Sequence, residues 1–557
     1  MKLPSDNPKN FIMQLRETLS ASMPQREKDC QTWDSLFYAG ATVGDHNPAI
    51  ANIITSRIRT QAGNLFSPDN LTYRLEYDAT VSDEHTLDLG SAAASYVSRE
   101  LRDADADLEF GDGVELALRH GSAFGQLDWN GRALATDIIP QACFGVLNER
   151  AKGLYEQGQD AIMVRYATPI ESFRAWLTKF KRTENIREAF DQESKDGQVR
   201  WADMNEGTRV VLGLNQPIGS SSSINDAGFV NLLPRMPYIP NASMAGRQVQ
   251  IDAIWLHDTE REEWATVYVI DGNDTIGTDI WRNFLGVKGR HPYFQICPHP
   301  VKGYIFGRSS IADIAEQQNF IRKHSAGMDY ILSMQEDPAR VGFGATNTAE
   351  IYKQALRSPG GWVQESGPNA KVQSFAPEMP QNLIPALELV GSYASDAANQ
   401  PPVVQGRGDQ GVRAGGHAET LMTAASARER RAATRTVRQC GDMGHLAMEI
   451  LKVKSAEELG DKAGKTFLLE NVPEGYHVLC NGYTASPLFA AEHRAILNDL
   501  LKAGAIGPEE YLDGLNPQGH DMLRTALRRR EEQQAKIIQS LPPEERVKLF
   551  THSGRRR

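Results

Sequence analysis

The sequence predicts an α+β protein in which a pillar of two helices carries a small α/β head and is followed by a very long third helix. Three observations lead to this. The first 300 residues mix helical and strand-like patterning with no internal repeat. From 307 the pattern is helical, is interrupted at 340–380 by a turn-rich interlude, and is helical again at 381–398. A Gly-rich stretch at 406–416 then opens into a proline-free run, 417–452, that reads as one helix.

A chain of 557 residues is long enough for about three or four compact regions. With 40% apolar and 24% charged residues it can bury sizeable cores. No apolar run is long enough to span a membrane, and the polar start of the chain lacks a signal-peptide block, so manufacture and use in a cytoplasm are expected. The five cysteines, Cys30, Cys143, Cys297, Cys440 and Cys480, are scattered without a CxxC pair, which excludes a disulfide scaffold or zinc knuckle. A net charge of -11 argues against a tight static grip on nucleic acid, but it is compatible with a wall along which DNA slides.

In chain order, 24–70 reads as helical, with Trp33, Leu36 and Phe37, then Ile50, Ile53, Ile54 and Ile58, at three- and four-residue spacings. Asn47 and Pro48 form a helix start. A helix is expected over 108–126, followed by alternating strands at 125–129 and 135–139. Strand signals recur at 161–168, 249–258 and 264–272, with a helix near 170–180 and a Ser-rich loop at 219–223. The first pillar helix places Ile311, Ile314, Gln318, Ile321, Ser325, Met328 and Leu332 on one face, begins at a capping box of Ser310 and Asp313, and stops before Pro338. The interlude holds strands at 340–343, 362–365 and 371–375, a helix at 348–356 and a turn at 358–361. Leu383, Leu387, Val390, Ala394 and Ala397 continue the four-three rhythm in the second pillar helix. The last 70 residues read as short helices, one opened by Ser486 and Pro487 and closed by Gly504.

An isolated two-helix pillar cannot bury both of its faces. Copies packed side by side can, and repeated heterologous packing closes into a ring. Local motifs agree. WDSLFYAG at 33–40, the block 112–121, IIP at 138–140, GRSSIADIAEQQN at 307–319, AANQPPVVQG at 397–406 and NDLLKAGAI at 498–506 together resemble the portal (head-to-tail connector) proteins of tailed bacteriophages over most of the chain. The resemblance implies a portal-type fold: an N-terminal wing at 1–306, stem helix 1 at 307–339, a clip at 340–380, stem helix 2 at 381–402, a tunnel loop at 403–416, a long helix and C-terminal wing part at 417–485, and a helical crown at 486–557. It also implies a non-catalytic homododecameric ring at one capsid vertex, needing no cofactor and no metal. Its partners would be the terminase large subunit, head-tail adaptors, major capsid and scaffolding proteins, and double-stranded DNA without sequence specificity. No membrane is involved. The Ser-rich tract near 220 matches nothing in that family.

Arg407, Asp409 and Arg413 sit in the Gly-rich loop, and the architecture favours the ring bore over a solvated loop. Arg428, Arg431, Arg435 and Arg438 share one face of the long helix; they form either a DNA-facing band or, the favoured reading, salt bridges to a neighbouring subunit. Ile311, Ile314, Ile321, Met328, Leu332, Leu383, Leu387 and Val390 are read as stem packing. Arg528 to Arg530 and Arg555 to Arg557 face packaged DNA or solvent. The enzymatic alternative is a nucleotide-driven DNA translocase or nuclease. Its only trace, GDKAGKT at 460–466, spaces its glycines by three residues where a phosphate-binding loop needs four. Cys297 and His299 lack further metal ligands nearby and read as structural. A third alternative, a scaffold or minor capsid protein, does not account for a clip between two stem helices.

Overall fold

A computed structural model of the chain describes residues 8–38, 53–68, 71–77, 84–129, 133–156, 158–169, 248–259, 263–270, 281–282, 289–343, 349–357, 359–363, 371–375, 380–397, 415–458, 475–482 and 486–515, with isolated positions elsewhere. Elements are numbered in chain order among these residues. The fold is α+β.

Helices α1 (Pro8–Ser20), α2 (Met23–Tyr38), α3 (Ile53–Leu65), α4 (Glu84–Asp103) and α5 (Ala106–His120) lead the chain. The helix start read at Asn47 lies outside the described residues, and the sequence reading missed α1 and α4. Helix α1 forms because Ile12, Leu15 and Leu19 recur at three and four residues and, with Met23, cover Ala161, Met163, Ile254 and Val267 of a sheet. Each such burial stabilises by about 1.5–3 kcal/mol. Helix α5 ends at His120 rather than near 126. Gly121 adopts φ 109°, a conformation disfavoured for L side chains, and returns its N–H to Ala117 O at 2.7 Å.

The chain then enters β2 (Ala123–Trp129), which lies between β3 (Leu134–Pro140) and β9 (Tyr293–Ile296) in an antiparallel sheet. β2 does not show the expected alternation of exposure. All seven of its residues are buried, including Gln126 and Asp128. Each polar side chain has one bonded atom: the Tyr166 hydroxyl donates to Gln126 Oε1 at 2.5 Å, and Asp128 Oδ1 accepts the Trp129 N–H at 2.7 Å. A second antiparallel sheet runs in sequence order through β4 (Phe144–Val146), β5 (Ala161–Pro169), β6 (Gln248–Asp258), β7 (Glu263–Ile270) and β8 (Trp281–Arg282). Buried Asp252 is held by Arg16 at 2.7 Å and Arg165 at 2.9 Å. The helix read near 170–180 and the Ser-rich loop fall outside the described residues.

Helix α6 (Ala315–Glu336) follows a 3-10 turn, Ile311–Asp313. The capping box does not form, because that turn delays the α-helix to Ala315. Ser310 makes no side-chain cap bond, Ser309 Oγ accepts the Ile311 N–H at 3.1 Å, and Asp313 pairs with Arg308. A small sheet comes next. β10 (Ala339–Phe343) lies parallel to β11 (Trp362–Val363) and antiparallel to β12 (Lys371–Phe375), with α7 (Ala349–Ala355) beside it. Helix α8 (Leu383–Ala397) packs on α6. Helix α9 (Gly415–Glu458), 44 residues, includes the last two residues assigned to the Gly-rich loop. At 1.5 Å per residue it is about 66 Å long. Its second half is buried in the main core and crosses β13 (Tyr476–Cys480), which pairs antiparallel with β1 (Tyr73–Tyr77). Gly444 makes that crossing possible, since a Cβ there would lie 2.5 Å from the Tyr73 ring. Helices α10 (Pro487–Lys502) and α11 (Pro508–Leu515) close the described chain, with Gly504 at φ 70° ending the first.

Candidate functional site

The α6–α8 pillar grows from a tightly bonded root. The backbones of Gly121 and Gly307 meet so closely that a Cβ on either would sit 2.3 Å from the other's carbonyl oxygen. Ser122 Oγ accepts the Gly307 N–H at 2.7 Å, Leu118 O accepts that of Ser310 at 2.8 Å, and the Ser309 hydroxyl donates to Arg119 O. The GRSS stretch is therefore a clamp on the C-terminal end of α5. Ile311 and Ile314 belong to the main core, so their packing is against the body rather than along the pillar. Arg57 of α3 donates to Gly391 O of α8 at 3.2 Å, which ties the second pillar helix to the same body. Beside this root, Arg57, Gln61, His299, Arg308 and Asp313 line a cavity of about 450 Å³.

Under the root lies a buried ionic cluster. Asp34 accepts from Arg119 Nε at 3.1 Å and His120 Nε2 at 2.9 Å, and the Arg119 guanidinium stacks over Phe37 at 4.4 Å. Burial opposes ionisation of Asp34, but the bonds and charges of His120 and Arg119 outweigh it and hold its carboxyl below the usual value. Burial also opposes protonation of His120, yet Cys30 and Asp34 raise it to about 9. No motif announces this cluster, because Asp34 is 85 residues from Arg119.

Along the pillar, Ile321, Met328, Leu383, Leu387 and Val390 are half-buried and Ala394 and Met334 buried. Leu332, read as a packing position, is exposed. A strict seven-residue repeat drifts about 20° per heptad on an α-helix, and the 3-10 turn adds a further offset. Phe320, Tyr330, Leu332, Ile384, Leu389 and Tyr393 are between 36% and 57% exposed. At the tip, Ile351, Leu356 and Trp362 are exposed as well.

Of the four arginines read as one face of α9, Arg431 and Arg435 line a pocket of about 630 Å³ shared with Lys152, Tyr155, Arg290 and Lys302. Arg290 lies over the Tyr155 ring at 5.2 Å, and that ring stacks on His291 at 4.3 Å. Asp442, two turns beyond Arg435, is pushed up to about 6 by burial, against the pull of Arg290. Burial and Arg290 hold His445 down at about 4. Arg438 is exposed, Arg430 lies over Phe489 at 5.9 Å, and Arg428 is on the same helix. The three-four spacing revealed the arginines, but nothing local in the sequence links them to Lys152, Arg290 or Lys302.

Arg407, Asp409 and Arg413 lie outside the described residues, as do the stretch 460–466 and residues 555–557. The element preceding 460–466 is helix α9, not a strand. Cys297 and His299 do not converge on further ligands: the Cys297 N–H binds Gln439, and the His299 ring is 3.3 Å from Gln61 Nε2. Among the described residues no cluster of His, Cys, Asp and Glu could hold a metal, all five cysteines are free and buried, and no helix is long and apolar enough to cross a membrane. The chain matches no protein-family model and no curated protein sequence.

Proposed function

We propose that this chain is a portal-type subunit: one copy of a ring, dodecameric in the virion, that forms the channel for DNA packaging, retention and ejection at a single capsid vertex. One observation carries the reading. The α6–α8 pillar, rooted in a large body and tipped by a small sheet, leaves Phe320, Tyr330, Leu332, Ile384, Leu389 and Tyr393 uncovered. Six large apolar side chains on two slender helices are covered when copies stand side by side. In this reading the body is the wing, the pillar the stem, the small sheet the clip and the chain after 486 the crown. Arg407, Asp409 and Arg413 face the bore, where guanidinium groups meet phosphates without reading bases. The clip docks the terminase large subunit and later a head-tail adaptor, while the wing meets the capsid shell and scaffold. The chain performs no catalysis and needs no cofactor, since the packaging ATPase is a separate protein.

Negative-stain electron microscopy with mass determination of the purified full chain tests this. Rings with a central hole and about twelve or thirteen copies are expected. A monomer or dimer that persists across concentration and salt refutes it, and ATPase and nuclease assays then become the relevant measurements.

A further inference from the structure

The basic pocket on α9 and an acidic corner between α4 and α5 are opposite in charge. The pocket gathers five cations, Lys152, Arg290, Lys302, Arg431 and Arg435, against two carboxylates, Glu156 and Asp442. Among the described residues, Lys152, Lys302, Arg431 and Arg435 make no salt bridge, and the Tyr155–His291 stack frames the pocket. Unpaired guanidinium and ammonium groups around a concave wall favour an anionic occupant.

The corner between α4 and α5 supplies the opposite charge. Asp103, Asp105 and Asp112 are exposed, Glu109 is half-buried, and Arg102 is the single cation among them. Leu108 projects from their midst, 54% exposed. Burial raises the Glu109 carboxyl, and Asp112 and Asp105 raise it further, so these carboxylates are close enough to repel one another. A protruding apolar side chain ringed by carboxylates has the chemistry that a pocket of arginines and tyrosines accepts.

Helix geometry separates the two features. Residues on an α-helix advance by about 100° each, so Arg431, Arg435, Asp442 and Leu446 fall within one arc of about 60°. Cys440 and Gly444 lie on the far side of the helix. There Cys440 Sγ is 3.3 Å from the Tyr73 hydroxyl and Gly444 abuts the Tyr73 ring, while the Tyr73 N–H donates to Ser98 of α4 at 3.3 Å. Helix α4 and the corner that ends it therefore belong to the side of α9 away from the pocket. Complementary patches on opposite sides of a subunit are the requirement for a heterologous, head-to-tail contact.

We infer that the acidic corner of one copy, Asp103, Asp105, Leu108, Glu109 and Asp112, docks into the Arg290, Arg431 and Arg435 pocket of the next copy. This rests on the ring reading and deepens it, placing an electrostatic contact in the wing beside the apolar one along the stem.

The test is charge reversal and rescue on the full chain, read as ring fraction by native mass spectrometry and negative stain. Arg431→Glu with Arg435→Glu, and separately Asp103→Lys with Asp112→Lys, should each lower the ring fraction by about tenfold at physiological salt. An equimolar mixture of the two variants should recover by alternation, because each interface then pairs a reversed pocket with a reversed corner or a wild-type pocket with a wild-type corner. The quadruple variant, which restores opposite charges at every interface, should return to within about threefold of wild type. Unchanged circular dichroism and melting of the variants separate lost docking from lost folding; should the glutamates unfold the chain, Arg431→Ala with Arg435→Ala gives the same comparison. Wild-type protein that never forms rings overturns the ring reading itself. Wild-type rings together with charge-reversed variants that assemble equally well overturn only this contact, as does a quadruple variant no better than the double ones. An alternative occupant such as a phosphate-bearing polymer predicts that second pattern.

Discussion

The body and the pillar of this molecule are built from similar residues and reach opposite outcomes. In the body, strand β2 buries all seven of its residues, and Phe124 stacks on Phe144 at 3.9 Å and meets Phe306 edge-on at 5.8 Å. In the pillar, Leu389 and Tyr393 are each more than half exposed although their helix is richer in apolar residues than most. The difference is one of layers. The body has sheets with helices to cover them, and among the described residues the pillar has two helices with no further layer outside them. The body can therefore hold its own fold, and the apolar flanks of the pillar are left for another surface.

The most direct way to break this comparison is to open the body. Phe124→Ala should cost about 4 kcal/mol, since it removes a fully buried ring and leaves a cavity among Phe144 and Phe306. Urea unfolding measures this. A loss under about 1 kcal/mol would mean that the body can collapse around the hole and is not close-packed.

A smaller loss is expected where body and pillar meet. Asp34→Asn leaves Arg119 and His120 without their buried carboxylate beneath the root, at a cost of about 3 kcal/mol. Its pH dependence follows from the two shifts. The folded-state value of Asp34 is lowered, so its contribution is present above the ordinary carboxylate value and is lost as pH falls through the lower folded value. His120 is raised to about 9, so its contribution is complete below the ordinary histidine value and disappears as pH rises through about 9. The deficit of the variant should therefore be greatest near pH 5–6 and shrink above pH 9, where only the Arg119 pairing is left. A deficit that does not vary with pH would rule out coupling between these charges.

At buried Glu429 on α9 the sign reverses. Burial raises it to about 7, with only Asn64 at 3.5 Å to favour the charge. A raised acid stabilises the fold while protonated and ceases to do so as pH climbs through 7. Glu429→Gln should therefore stabilise by about 2 kcal/mol at pH 8.5 and by almost nothing at pH 4. Thermal melting across that range shows it, and an equal effect at both ends would place the carboxylate in water.

How much of this was legible in the sequence depended on what each residue faces. The pillar helices and the small sheet were readable because their signals are local: Leu383, Leu387 and Val390 recur at helical spacing, and Pro338 and the turn before Trp362 punctuate the head. The strands at 161–169 and 248–258 declared themselves through β-branched and aromatic runs. Strand β2 was misread because it is buried on both sides, and Gln126 and Asp128 look like solvent-facing positions unless their partners are known. Helix α1 is short, with Phe11, Ile12, Met13, Leu15 and Leu19 as its large apolar residues, and its partner sheet is more than 120 residues away. The arginines of α9 were found by spacing. The pocket they line was not, because Lys152, Arg290 and Lys302 come from loops with no periodicity. Asp34, Arg119 and His120 form their cluster only through tertiary packing.

The smallest expected effect on stability is also the sharpest test of the contrast between the two regions. Leu332→Gln with Leu389→Gln keeps good helix formers at both positions and removes apolar surface that already faces outward, so the isolated chain should lose no more than about 0.5 kcal/mol. In a ring, each of those leucines is covered by a neighbour, and each truncated contact would forgo about 1–2 kcal/mol at every interface around the circle. Unfolding of dilute protein should then be nearly unchanged while the concentration needed for rings rises by an order of magnitude or more. If dilute chain is destabilised by several kcal/mol, these leucines already pack within one copy, and the pillar needs no neighbour. If neither quantity moves, the uncovered flanks are ordinary solvent-facing surface, and the argument that they seek a second copy fails at its origin.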